Sequence, residues 1–139
     1  MAGVLQGVSV ATIDLDIVHN RLAANVERLH ALLVRLDARH RGQPRGRILR
    51  PTLEELSGGG HLNLITTLGP LDVLCELDPG VGYRELVADA VELTDGEKTI
   101  RVLGLRRLVE IKSRSKRAKD RVMLPLLLAA LAEQESGER

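Results

Sequence analysis

The sequence predicts an α/β (α+β) fold: one domain in which a mixed β-sheet is flanked by helices. Three observations predict it. Thr12–Val18 alternates apolar and acidic residues, and a helical apolar stripe follows it. Two later stretches carry the strand–turn–strand pattern of hairpins, and the chain from Leu105 onward reads as helices. Such a mixture of strands and interspersed helices is the signature of helices layered on a sheet. The 139 residues suit one domain with a core that needs no disulfide.

Along the chain, Met1 to Ser9 reads as the end of a short helix closed at Gly7. In the strand that follows, Ile13, Leu15 and Ile17 point one way and Asp14 and Asp16 the other, because side chains two apart share a face. Asn20 is a suitable N-cap. From Arg21 to Arg39, Leu22, Val26, Leu29, Leu32, Leu33 and Leu36 form one stripe of a helix. Residues 40–51 are a basic loop, and Thr52-Leu53-Glu54-Glu55 has the form of a capping box. The glycine triplet Gly58–Gly60 lacks the lysine and the strand-to-helix setting of a phosphate loop, so a flexible turn is expected.

His61–Thr67 and Leu71–Leu77 form a hairpin around Leu68-Gly69-Pro70, with Asp72 near its turn. A loop over Asp78–Gly82 leads to a short helix at Tyr83–Ala88. Val91–Thr94 and Thr99–Val102 flank Asp95-Gly96, a strong hairpin signal. Leu105–Ser113 is a helix with Leu105, Leu108 and Val109 inward, and Ala118–Glu133 is another. Pro125 inside the latter predicts a kink or a restart. The residues after it form a polar tail that frays.

Composition excludes several functions. One Tyr with no Trp or Phe leaves almost nothing for stacking on bases. The lone Cys75 rules out an internal disulfide and thiolate zinc sites, and reads as a small buried apolar side chain. No stretch is long enough to span a membrane, and no leader pattern opens the chain. A cytoplasmic protein that uses no membrane is the expectation.

The chemistry concentrates in carboxylates. Aspartate is disfavoured in strands, and two on one face repel unless a cation compensates. Asp14 and Asp16 alone read two ways: as charges that protect an edge strand from aggregation, or as a metal pair. Asp72 adds a third acid on what can be a neighbouring strand. Three converging carboxylates suit Mg²⁺, which takes oxygen ligands and shares its shell with water and phosphate. A basic counterweight lies between Arg101 and Arg121, where nine cations meet only Glu110 and Asp120. Most of these belong to a solvated helix face. Lys112, near the apolar side of its helix, and Lys119, beside an Asp120 expected to hold it, are the two singled out for phosphate binding. His19 is read as a helix-start residue before a catalytic one, His30 as a surface residue, and Tyr83 as packing.

In this order the residues resemble the nucleotidyltransferase superfamily related to DNA polymerase beta, in its minimal bacterial form. Thr12-Ile13-Asp14-Leu15-Asp16-Ile17 is similar to the family's Asp-hydrophobic-Asp strand, and Thr67–Leu74 to its later strand with the third Asp. Leu105–Lys112 with Arg117-Ala118-Lys119-Asp120 resembles the closing helices of small members, including abortive-infection toxin relatives. The resemblance implies a Mg²⁺-dependent transfer of a nucleoside monophosphate from an NTP to an acceptor hydroxyl, the acceptor being protein, RNA or a small molecule. Asp14, Asp16 and Asp72 would be the metal and catalytic residues, and Lys112 and Lys119 would bind nucleotide. The family's glycine pair has only Gly3-Val4 as a weak substitute, and counting back puts it before Met1 with the first helix and strand. The alternative is therefore a catalytically silent binding module of the same fold, in a homodimer or a toxin–antitoxin pair. Nucleic-acid binding through the basic C-terminal stripe is a third expectation.

Overall fold

The protein was analysed as a computed structural model, which describes residues 2–6 and 14–138. The elements run α1 (Ala2–Leu5), β1 (Leu15–Val18), α2 (Ala23–Arg35), β2 (Arg39–His40), α3 (Leu53–Ser57), β3 (Leu62–Thr66), β4 (Gly69–Leu74), β5 (Glu76–Asp78), β6 (Val81–Gly82), α4 (Tyr83–Leu86), a 3₁₀ turn (Val87–Asp89), β7 (Ala90–Asp95), β8 (Lys98–Leu103), α5 (Leu105–Arg114) and α6 (Ala118–Gly137). The mixed α/β class is as expected. Two compact units divide the chain, one from Ile13–Glu85 and one from Met1–Thr12 with Leu86–Arg139. The predicted end of the first helix at Gly7, and Ile13, lie outside the described residues.

The central unit is built on a four-stranded sheet in the order β1-β4-β3-β2. β1 runs parallel to β4, while β4–β3 and β3–β2 are antiparallel. Alternation in β3 and β4 sends Leu62, Leu64, Leu71 and Val73 to one face, where they pack with Val26, Leu33, Ala38 and Leu56; Ile17 and Leu29 close over this core. Asn63 and Asp72 therefore belong to the other face.

Two local devices set the limits of α2, and both shorten the helix expected over 21–39. At its start, Asn20 caps nothing directly. Its Oδ1 accepts from the Leu22 N–H at 3.1 Å, making a side-chain turn that delays the helix to Ala23. At its end, Asp37 adopts a left-handed conformation with φ 50°. The Ala38 N–H donates to the Leu33 carbonyl at 2.9 Å and the Asp37 N–H to the Val34 carbonyl at 3.1 Å. These two bonds form a Schellman motif, and buried Ala38 meets buried Leu33 as its apolar contact. The motif commonly uses glycine, so an aspartate in that place gave no stop signal.

α3 forms where the capping box predicts it. Thr52 accepts from the Glu55 N–H, and Glu55 accepts from the Thr52 N–H. Four of its five carbonyls have partners: Ser57 Oγ donates to Leu53, the Gly58 N–H to Glu54 and Glu55, and His19 lies against Leu56. The strand expected over 71–77 begins two residues earlier and ends at Leu74. The chain leaves the sheet at buried Cys75, and Glu76–Asp78 pairs with Val81–Gly82 instead.

In the second unit β7 and β8 form the expected hairpin, paired from Ala90↔Leu103 to Asp95↔Lys98. The two-residue loop is thus Gly96-Glu97, with only Gly96 at positive φ (59°), as a type II′ turn requires. Leu105 of α5 and Leu127 of α6 are buried together, with Leu108, Val109, Met123, Ala130 and Leu131 around them. α6 runs continuously through Pro125, so the helix does not restart there. Pro125 and Arg121 are both exposed, so water can take the carbonyl that the missing N–H leaves unpaired. No described helix is long and apolar enough to cross a membrane.

Neighbouring leucines on α2 offer a test of this packing. Leu33 is fully buried, whereas Leu32 is 46% exposed. In urea denaturation Leu33→Ala is expected to cost roughly 2–5 kcal/mol. Leu32→Ala should cost less than about 1 kcal/mol.

Candidate functional site

The parallel register of β1 and β4 aligns Asp16 with Asp72 as Cα partners. Partners across a ladder share a face, so both carboxylates stand on the side of the sheet away from the core. Asn63, opposite Asp72 on β3, continues the row. Asp14 immediately precedes β1, two residues from Asp16, and is partly buried. Adjacent strands lie about 4.8 Å apart. Two unit charges near that distance repel by roughly 1 kcal/mol in water and about 3 kcal/mol at an effective dielectric of about 20. Arg41 relieves this repulsion: its Nη2 forms an ion pair with Asp72 Oδ1. Arg41 is placed by the sheet itself, because its N–H donates to the Asn63 carbonyl at 2.8 Å and extends the β2–β3 ladder by one bond. The Nε of Arg41 is buried and has no partner among the described residues.

Arg41 is the residue that sequence reasoning missed. It lay inside a stretch read as a basic loop, and a two-residue strand leaves no periodic signal. The Asp72–Arg41 contact joins residues 31 apart, which no local pattern reports.

Among the described residues, no group of three or more His, Cys, Asp and Glu side chains is gathered closely enough to hold a metal. The Asp16–Asp72 pair is still a donor set suited to a hard cation. Mg²⁺ is usually held by only one or two carboxylates together with waters and phosphates.

Lys112 and Lys119 belong to the second unit. Lys112 Nζ donates to Asp120 Oδ1 at 2.6 Å, and Ser115 Oγ donates to Asp120 Oδ2 at 2.5 Å. Asp120 thus holds Lys112 and not, as expected, Lys119. One residue on a helix is a rotation of about 100°, so with Asp120 buried Lys119 turns to solvent; it is exposed. Burial pushes the Asp120 carboxyl up, but the bonds from Lys112 and Ser115 and the charges of Lys112 and Arg117 outweigh it and hold it below the usual aspartate range. Much of the remaining basic stripe is paired with acids outside it: Arg101 with Glu92, and Arg106 with Glu135. Arg107 and Arg114 share Glu110.

His19 is a structural tie. It is 6% exposed, with Nε2 2.6 Å from the Leu56 carbonyl and Nδ1 3.3 Å from the Leu74 carbonyl. A carbonyl oxygen can only accept, so Nε2 donates in the 2.6 Å contact with Leu56. The ring fastens the end of β1 to α3 beside the acidic face. No protein-family model, curated protein or solved structure matches the chain.

Two outcomes follow from these contacts. His19→Ala leaves the buried Leu56 carbonyl unpaired and should lower unfolding stability by about 1–3 kcal/mol, read from urea midpoints. For Asp120 the folded-state value is depressed, so its contribution is full above the unfolded value of about 4 and is lost as pH falls through the lower folded value. In thermal melts from neutral pH to about pH 3, Asp120→Asn should start with a lower Tm than the wild type and fall less on acidification.

Proposed function

We propose that the acidic face of the four-stranded sheet is the metal-holding part of a nucleotidyltransferase-like site. In this reading Asp14, Asp16 and Asp72 hold Mg²⁺, and a nucleoside monophosphate moves from an NTP to an acceptor hydroxyl. The observation that supports it most is the register of Asp16 with Asp72 on adjacent parallel strands. An alternating edge strand carrying protective charge has no need of a facing carboxylate. A bound Mg²⁺ would neutralise charge on the substrate phosphates. The acceptor oxygen forms a bond to the α-phosphorus, the bond from that phosphorus to the β-bridging oxygen breaks, and pyrophosphate leaves. The hydroxyl proton passes to a carboxylate, a role assigned to Asp72 at the centre of the row. Of the two lysines, Lys119 has no side-chain partner among the described residues, whereas Lys112 is bound to Asp120.

One observation favours a second reading, a binding module of the same fold that performs no transfer. The Arg41 guanidinium already stands on Asp72, where a divalent cation would act. The two readings separate in one series of calorimetric titrations of NTP with and without Mg²⁺, run beside a transfer assay with labelled NTP. The transferase reading expects Mg²⁺-dependent binding and transfer. It expects Asp16→Asn and Asp72→Asn each to weaken binding about tenfold or more, the scale of one lost charge-assisted contact. It also expects Arg41→Ala to strengthen Mg²⁺ binding by freeing Asp72. NTP binding that is indifferent to Mg²⁺ and leads to no transfer selects the silent module; clear Mg²⁺-dependent binding counts against it, and no NTP binding at all rejects both.

A further inference from the structure

The excursion between β2 and β3 carries Arg39, Arg41, Arg45, Arg47 and Arg50 and no acid from Arg39 to Thr52. It is a shaped loop. The His40 N–H donates to the Leu49 carbonyl at 2.8 Å and closes its neck. At its tip the Arg47 N–H donates to the Pro44 carbonyl at 3.0 Å, with Gly46 at φ 81°, the positive value that the third residue of a type II turn needs. That turn puts Arg45 at the corner. Three carboxylates reach the loop, and each is engaged. Asp37 takes Arg39 and Arg50, both at 2.5 Å; Glu55 takes His40; Asp72 takes Arg41. Arg45 and Arg47 are exposed and have no carboxylate among the described residues.

A groove of ≈ 370 Å³ opens on this loop, lined by Arg39, Arg41, Gln43 and Arg47 with Ile48 and Ile65 as an apolar wall. No carboxylate lines it. Ile48 and Ile65 are 56% and 41% exposed there. Guanidinium forks match phosphate oxygens bidentately, and an apolar wall reduces the screening of such contacts by water. The acidic face presents Asp16 and Asp72 where the groove presents guanidinium groups, so the two surfaces select ligands of opposite charge.

We propose that this loop and groove form an anion site for a phosphate-bearing ligand, with Arg47 and Arg45 as its principal contacts and Arg39 and Arg41 as its walls. The phosphates come from a free oligophosphate or from the backbone of a nucleic-acid strand. The proposal does not depend on the transferase reading, because it requires neither Mg²⁺ nor turnover.

The test is binding of inorganic tripolyphosphate and, separately, of a short single-stranded RNA, to the full chain in metal-free buffer containing a chelator. The wild type should bind at least one probe, more weakly as salt rises. The double variant Arg45→Ala/Arg47→Ala should weaken that binding about tenfold or more. Arg28→Ala/Lys98→Ala, which removes the same charge from exposed positions outside both this loop and the C-terminal basic stripe, should leave it within about twofold. Binding of tripolyphosphate identifies a free oligophosphate as the source; binding of RNA alone identifies a strand. Arg45→Lys/Arg47→Lys should keep the charge but recover only part of the affinity, since lysine lacks the fork. If neither probe binds, or if the control pair costs as much as the loop pair, the proposal is overturned.

Discussion

Burying Leu71 and Val73 against α2 and α3 leaves Asp72 no place but the opposite face of the sheet. The parallel pairing of β1 then brings Asp16 to the same side, because Ile17 must meet the same core. The acidic row is thus a by-product of apolar packing on the reverse side. A one-residue slip of β1 would bury Asp16 and expose Ile17, so register is enforced by the core and not by the acids. The acids cost free energy in this arrangement. That cost is why a cation belongs on this face, whether it is the guanidinium of Arg41 or a metal ion.

Much of the fold was legible in the sequence because it depends on local chemistry. The capping box at Thr52, the hairpin at residues 90–103 and the inward set Leu105, Leu108 and Val109 are written in short patterns, and the structure has all three. What could not be read has a common physical origin. α2 stops at Arg35 because Asp37 takes a conformation usually given to glycine. β2 is too short for any periodicity. Lys112 and Asp120 meet because α5 and α6 pack through Leu105 and Leu127, and adjacency in sequence pointed to the wrong lysine. Of the candidate site, the three aspartates were visible as residues. The alignment of Asp16 with Asp72 and the grip of Arg41 were not, since both arise from strand pairing between distant segments.

Polar groups around the sheet act as ties whose worth lies in what would be left unpaired. His19 and Arg21 take the carbonyls of Leu56 and Gly58, and the Cys75 thiol takes that of Gly59. Each bond contributes only about 1 kcal/mol net. Together they fix the α3 end and its glycine turn against β1 and the end of β4. The glycine triplet thereby has a structural account that needs no phosphate, in keeping with its lack of a P-loop setting.

Arg41 joins the two charged surfaces of this unit. Its guanidinium is on Asp72, and the same residue lines the groove of the basic loop. The pair is partly exposed, with side chains 32% and 19% accessible, so its net contribution to stability is small. Its effect is on charge distribution. While Arg41 holds Asp72, the acidic row has one fewer negative charge to attract a cation, and the groove has one fewer free positive charge. An anion that drew Arg41 into the groove would release Asp72, and a cation on Asp72 would release Arg41. By linkage each ligand would then raise the affinity of the other. Arg41, placed by one ladder bond to Asn63, is a side chain that the acidic row and the groove share, and the coupling would run through its choice of partner.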